Sequence, residues 1–390
     1  MFGYSEEELR RLGAEHTARE IAQQPEVWPK TLTLIERRAD EIKDFLAHTI
    51  TPDARVILTG AGTSAYTGDV ARYGVAATLP CRVESIPTTT LVASPQLWLE
   101  PETPTVLVSF GRSGNSPESV GAFDLMQANT KCLSHLVVTC AEDGALAQRA
   151  RSTPGSFLLL LPDEVNDRGF AMTSSFTCML LSALLFFDIE HIMENRAVVE
   201  ALSSQGRRVL EKDWAGIKAL ADARPERLVY LGSGCLAELG RELALKNMEL
   251  SNGRIVSVSE STMGFRHGPK AIVNDKTVVM VLGSGSAYTR RYVRDIAREL
   301  HGDPGGHQVV GVAYAPDSEL AANTDQCFTI SGASVPEYYA ALNYVLYGQM
   351  MGLFNSLVIG NTPDNPNPTG VVNRVVKGVT IYPYEGEGTV

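Results

Sequence analysis

Val56-Ile57-Leu58-Thr59-Gly60-Ala61-Gly62 returns 172 residues later as Leu228-Val229-Tyr230-Leu231-Gly232-Ser233-Gly234. Each is an apolar run that ends in a glycine-rich turn, the pattern of a buried strand passing into a loop. Three more runs follow in the same order. Val106-Leu107-Val108-Ser109-Phe110-Gly111 matches Val278-Val279-Met280-Val281-Leu282-Gly283, and His135-Leu136-Val137-Val138 matches His307-Gln308-Val309-Val310, both again 172 apart. The run at Phe157 matches the one at Phe328, 171 apart. Chance supplies one such pair, not four in sequence. The chain therefore reads as a tandem of two α/β units, and any site must be explained by a fold used twice.

Working outward, strands are expected at 55–59, 81–86, 105–109, 135–140 and 157–161, with helices from about Ser64 and Pro117. Continuous Val/Ile/Leu strands alternating with helices predict parallel sheets covered on both faces. A long helix is expected from about Thr173, and Val198 to Ala223 reads as a helical bridge to a second unit running from Arg227 to Gly360. Upstream, residues 1 to about 50 read as helical with one break around Pro25 and Pro29. Beyond that break Leu32, Ile35, Ala39, Ile42 and Leu46 form a single apolar stripe. Gly360 to Pro368 is a Pro/Asn-rich loop, after which Val371 to Tyr384 predicts an ordered tail packed on the body. The expected division is a helical segment 1–49, units 50–205 and 206–362, and a tail 363–390.

Composition narrows the function classes. At 390 residues the chain exceeds one ordinary core and suits two, and 44% hydrophobic with 20% charged residues is a globular profile. The longest apolar stretch, Met179 to Phe187, is too short for a bilayer and reads as a buried helix. The polar N-terminus carries no signal-peptide pattern, and six cysteines without CxxC spacing suit reduced thiols in a cytoplasmic protein. A net charge of −11 argues against nucleic acid or an anionic membrane as partner.

Two loops of the first unit are rich in glycine and hydroxyls: Thr59-Gly60-Ala61-Gly62-Thr63-Ser64 and Phe110-Gly111-Arg112-Ser113-Gly114-Asn115-Ser116. Glycines let backbone approach a ligand, and the helix that follows offers free N–H groups. Either loop alone could be helix capping. Two at the carboxyl edge of one sheet favour a phosphate site. A dinucleotide fingerprint competes: Gly60-Ala61-Gly62-Thr63-Ser64-Ala65 fits G-x-G-x-x-G/A, with Glu84 placed as a ribose-binding acid. The second hydroxyl-rich loop has no role in that scheme.

The second unit carries a helix at 238–252 in which Lys246 and Glu249 are three apart and Glu242 and Lys246 four apart. Taken alone this is an exposed ion-pair ladder. His267, between Arg266 and Gly268-Pro269, reads as a loop histidine.

The motifs in order resemble a known family. Gly62-Thr63-Ser64, Arg112 to Ser116, Ala244 to Glu249 and Arg266 to Lys270 are similar to the double SIS (sugar isomerase) domain of the isomerase half of glucosamine-6-phosphate synthase. With Asp167 to Ser175 and Gly264 to Lys270 added, they resemble its AgaS branch, the galactosamine-6-phosphate deaminases, also called tagatose-6-phosphate ketose/aldose isomerases. The resemblance implies two flavodoxin-like, three-layer α/β domains and phosphate binding by Ser113 and Ser116, with Gly62, Thr63 and Ser64 completing the cluster. Gly111 and Arg112 stand where the synthase has serine and glutamine. Glu249 falls on the carboxylate that moves the proton between C1 and C2. His267 falls on the ring-opening histidine, which in the family reaches the site from a partner subunit, so a homodimer or larger is implied. Lys377, in a short match, takes the place of the C-terminal lysine.

Some 50 residues precede the first unit, so no glutaminase domain is expected. The reaction implied is galactosamine 6-phosphate plus water to tagatose 6-phosphate plus ammonia, without metal or redox cofactor. Ketose/aldose isomerisation of a hexose 6-phosphate is the nearer alternative, and a non-catalytic phosphosugar sensor the more distant one.

Overall fold

Both sets of apolar runs become five-stranded parallel sheets. The computed structural model describes residues 1–376 and 378–386. The first sheet comprises β1 (Arg55–Thr59), β2 (Arg82–Ser85), β3 (Thr105–Gly111), β4 (Leu133–Thr139) and β5 (Ser156–Leu160), in the order β2-β1-β3-β4-β5. The second comprises β6 (Arg227–Gly232), β7 (Val256–Ser261), β8 (Thr277–Leu282), β9 (Gln308–Ala313) and β10 (Gln326–Thr329). Read from the matching edge its order is β7-β6-β8-β9-β10, the same topology. Of the interior strands, β1, β3 and β8 are buried along their whole length, which is why they read as unbroken apolar runs rather than alternating ones.

Register confirms the repeat and corrects part of it. Arg55 pairs with Thr105 and Arg227 with Thr277, so the 172-residue offset holds for the first and third strands of each sheet. His135 pairs with Leu107, whereas Val309 pairs with Val279, the residue 172 beyond Leu107. The counterpart of His135 is therefore Val309, 174 residues on, and not His307. In the same way Phe157 pairs with Leu136 and Gln326 with Val310, so Phe157 matches Gln326 rather than Phe328. Each slip is two residues. It leaves every side chain on its original face, so the apolar pattern cannot reveal it.

The chain forms two compact units assembled from interleaved segments. One contains the second sheet and comprises Met1–Glu26, Asp167–Thr173 and Ala197–Pro368. Within it Phe2 meets Phe354 edge-on with ring centroids 6.0 Å apart, and Gln24 Nε2 donates to Gln349 Oε1 at 2.6 Å. The Asp364 carboxylate accepts from the His16 and Thr17 backbone N–H groups at 3.0 and 2.7 Å. The other unit contains the first sheet and comprises Val27–Asn166, Ser174–Arg196 and Thr369–Val390. Its helix Ser174–Phe187 is buried at every residue. Among the described residues no single helix is long and apolar enough to cross a membrane.

Three expectations shift. The helix Gln24–Arg37 runs on through Pro29, and the break falls instead at Arg38, before helix Ala39–Thr49. Pro25 occupies the first turn, where an N–H has no partner to lose, and the Thr33 hydroxyl donates to the Pro29 carbonyl at 3.0 Å. Among its described residues the tail holds no strand or helix, and Val371, Val372 and Val376 are exposed. Its anchor is Ile381, seated over Gly121, where an added Cβ would lie 3.0 Å from Ile381 Cγ2. The bridge is two helices, Ile192–Lys212 and Trp214–Asp222, parted at Asp213. All six cysteines are free, and Cys132 is exposed.

Candidate active site

β1 and β3 are neighbours in the first sheet, with Thr59 paired to Ser109, so their two loops emerge side by side at its carboxyl edge. Gly60 is obligatory: a Cβ there would sit 2.5 Å from the Ser64 carbonyl carbon. Gly62 turns the chain into helix Thr63–Thr78 with φ +57, left-handed backbone that favours glycine. Thr63 and Ser64 are buried in that first turn. In the second loop the Ser113 hydroxyl accepts from Asn115 N–H at 3.3 Å, and Asn115 Oδ1 accepts from Ala145 N–H at 2.9 Å. Ser116 precedes helix Pro117–Asn129 as its N-cap residue, yet its side chain makes no capping bond. Capping therefore does not account for this serine. Arg112 is buried and reaches the tail, with Nη2 donating to the Arg374 carbonyl at 3.4 Å.

The dinucleotide reading loses its acid. Glu84 Oε2 accepts from Arg55 Nε at 2.5 Å and lies 3.3 Å from Arg82 Nε. It is a structural partner of a buried arginine.

In the unit containing the second sheet, helix Cys235–Leu250 lies against helix Glu337–Val358. Gly348 permits the approach, since a Cβ there would be 2.6 Å from Leu243 Cδ2. The ladder expected at the surface is instead largely interior. Glu242 and Lys246 are fully buried, with Lys246 Nζ 3.4 Å from Glu242 Oε1 and 2.5 Å from Glu249 Oε2. The Glu249 side chain alone keeps 24% exposure. A buried ammonium is costly unless paired. Here both carboxylates pair with it, and one pairing fixes an oxygen of Glu249, the one of the two that still meets solvent.

His267 ends the short turn Gly264–Arg266 after β7 and is exposed. The residues around it are tied down. Arg266 bonds Glu299 at 2.6 Å and Asp295 at 3.0 Å, while Lys270 bonds Glu299 at 2.5 Å and Asp303 at 2.6 Å. The imidazole projects from a pinned turn.

The Asp167–Thr173 segment is held by carboxylates. Asp167, fully buried, accepts from Thr173 N–H at 2.8 Å, and Glu20 Oε1 accepts from Arg168 N–H at 2.5 Å. Burial, then the Asp167 charge, pushes the Glu20 carboxyl up to about 8.

The structure thus brings Gly62, Thr63, Ser64, Gly111, Arg112, Ser113 and Ser116 to one sheet edge, and Glu249 to Lys246 and Glu242. His267 stands on its own turn, and Lys377 lies outside the described residues. The burial of Lys246 was legible, since it falls in line with Leu239, Leu243 and Leu250 on the apolar stripe. Glu20 gave a weaker signal, an acid beside Ala18 and Ile21. Among the described residues no group of three or more His, Cys, Asp or Glu is placed to hold a metal ion.

Comparison with known proteins gives both halves one description. A family model for the SIS domain matches residues 49–188 and again 219–354. The D-galactosamine-6-phosphate deaminase AgaS of Shewanella sp. (strain ANA-3) is 39% identical over 386 residues, 97% of this chain and 95% of its own. A solved structure from Clostridium novyi NT superposes with a TM-score of 0.96 at 38% identity, covering 98% of this chain and 99% of that one. The tagatose-6-phosphate ketose/aldose isomerase of Escherichia coli superposes with a TM-score of 0.87 at 37% identity, covering 95% and 97%.

Proposed function

The chain belongs to the SIS-domain family, and on that premise we propose that it deaminates an aminosugar 6-phosphate, galactosamine 6-phosphate by preference. The products are tagatose 6-phosphate and ammonia. The observation that carries this reading is Glu249: one carboxylate, partly open to solvent, gripped through Oε2 by a fully buried lysine. A general base must be held still and must have an oxygen left for substrate. The Lys246 bond leaves Oε1 for that task.

Ser113 and Ser116, with Thr63 and Ser64, bind the 6-phosphate, and the adjoining helix N-termini favour its charge. His267, supplied by a partner subunit in a homodimer, assists opening of the sugar ring to the free aldehyde. Glu249 then takes the C2 proton while O1 gains one, giving a C1–C2 enolamine. The same carboxylate returns its proton to C1, leaving an imine at C2. Water adds at C2, ammonia leaves and the ketose remains. No electrons enter or leave the substrate. Lys377 is assigned to the same site on its sequence match alone.

A second reading keeps the proton transfer and omits the amine. The Escherichia coli relative, named a ketose/aldose isomerase, favours it, because the same glutamate would serve a neutral hexose 6-phosphate. The sensor alternative gains no support, since these relatives carry enzyme names. Ammonia release from galactosamine 6-phosphate and from glucosamine 6-phosphate decides among these readings. In the same assay Glu249→Gln should lower kcat about 10²–10⁴-fold, the usual cost of losing a general base. Near-normal turnover would place the base elsewhere.

A further inference from the structure

The second unit repeats the two loops that bind phosphate in the first, and something already fills the space between them. Gly62 and Gly234 both precede a helix with φ +57, and ψ is −127 in one and −132 in the other. Thr63 therefore corresponds to Cys235. After β3 and β8 the helix N-cap residues are Ser116 and Ser286, 170 apart where the strands are 172 apart, so the second loop is two residues shorter. It nevertheless keeps the same turn. Ser284 Oγ accepts from Ser286 N–H at 3.1 Å, as Ser113 Oγ accepts from Asn115 N–H at 3.3 Å.

Glu337, first residue of helix Glu337–Val358, reaches into this cradle. Its Oε2 accepts from the Ser284 hydroxyl at 2.6 Å and from Gly285 N–H at 2.7 Å. Its Oε1 lies 3.9 Å from Cys235 Sγ, on the counterpart of the Thr63 loop. A hydroxyl and a backbone N–H converging on one oxygen form an anion site. The anion here is the protein's own carboxylate. Arg290 braces the loop from outside, donating to the Ser284 and Gly285 carbonyls at 3.0 and 2.8 Å.

We propose that the second unit retains a phosphate cradle plugged by Glu337, and that removing this carboxylate uncovers a site for inorganic phosphate and phosphate monoesters. The plug confines phosphosugar binding to one cradle per chain. The inference rests on the reading of the Ser113–Ser116 loop as the substrate's phosphate site, and the test separates the two. Equilibrium dialysis with labelled inorganic phosphate, at fixed ionic strength, compares the parent with Glu337→Ala, with Ser113→Ala/Ser116→Ala, and with all three changes together.

Glu337→Ala should bind one phosphate more per chain than the parent. That increment should persist in the triple variant and vanish when Ser284→Ala is added. If Ser113→Ala/Ser116→Ala leaves the parental phosphate in place, the first-loop reading fails while the Glu337 increment still decides this one. A folded Glu337→Ala chain with parental stoichiometry overturns the proposal. Should that variant not fold in chloride, it is refolded in phosphate of equal ionic strength, with the Glu337→Ala/Ser284→Ala chain as the control for general salt effects. Recovery confined to the chain that keeps Ser284 supports the plug, and equal or absent recovery refutes it.

Discussion

Replacing Lys246 with methionine separates what the buried cation does for the fold from what it does for Glu249. The side chain keeps its length and loses its charge. Glu242, fully buried 3.4 Å away, is then left without that ammonium, whereas Glu249, 24% exposed, can turn to water. The loss should come mainly from Glu242. Breaking a buried pair from one side typically costs about 3–5 kcal/mol, so protection of the amides in helix Cys235–Leu250 should fall roughly 100- to 4,000-fold. Peptide-resolved hydrogen exchange reads this unit separately, which matters in a chain whose two units need not unfold together. Adding Glu242→Leu removes the buried carboxylate as well. Replacement of a whole buried pair by apolar residues is often neutral or stabilising, so the double variant should recover the parental protection. Turnover should not recover with it, since Glu249 Oε2 has lost its 2.5 Å partner. A single variant that loses less than about 1 kcal/mol, or a double variant as damaged as the single, would refute the argument.

Other outcomes follow from the same geometry. Ser113→Ala/Ser116→Ala should raise KM for the sugar phosphate at least about tenfold, since a hydrogen bond to a charged group is worth roughly 1.5–3 kcal/mol; an unchanged KM removes this loop from the site. Mixing Glu249→Gln with His267→Ala subunits should restore part of the activity through hybrid sites, and no recovery despite proven subunit exchange would mean each subunit builds its own site. Glu20→Gln mimics the protonated carboxyl. Because the folded-state group titrates at about 8 and the unfolded one near 4.5, the stability Glu20 contributes is full below about 4.5 and declines as pH rises toward 8. The Gln variant should therefore gain on the parent across that window in urea unfolding, and a difference independent of pH would contradict the burial argument.

The sheets were legible because strands buried on both faces must be apolar throughout, and β1, β3, β6 and β8 satisfy that at one offset. The fourth and fifth strands were matched two residues out, since hydrogen-bond register depends on partners that an apolar pattern does not name. The glycines of the two hydroxyl-rich loops announced themselves through turns that favour glycine. The environment of Glu249 did not. Charges three and four apart look alike on a solvated face and in an interior, so the spacing alone misled; only the alignment of Lys246 with Leu239, Leu243 and Leu250 marked it as turned toward a neighbour, helix Glu337–Val358. The tail valines misled for the opposite reason: apolar residues crossing a surface need not be buried, and the anchor proved to be Ile381.

The interleaving of the two units sets an order on biosynthesis. Met1–Glu26 is made before the whole first repeat yet belongs with Ala197–Pro368, so its partners, Gln349 and Asp364 among them, follow it by more than 300 residues. At roughly 5–20 residues per second, the intervening chain of some 340 residues takes about 20–70 s to synthesise. Through that interval Leu9, Ala18 and Ile21, all fully buried in the finished protein, have no native surface to cover them. Closing the second sheet's unit therefore waits for synthesis of the segment through Pro368 and cannot accompany growth of the first repeat.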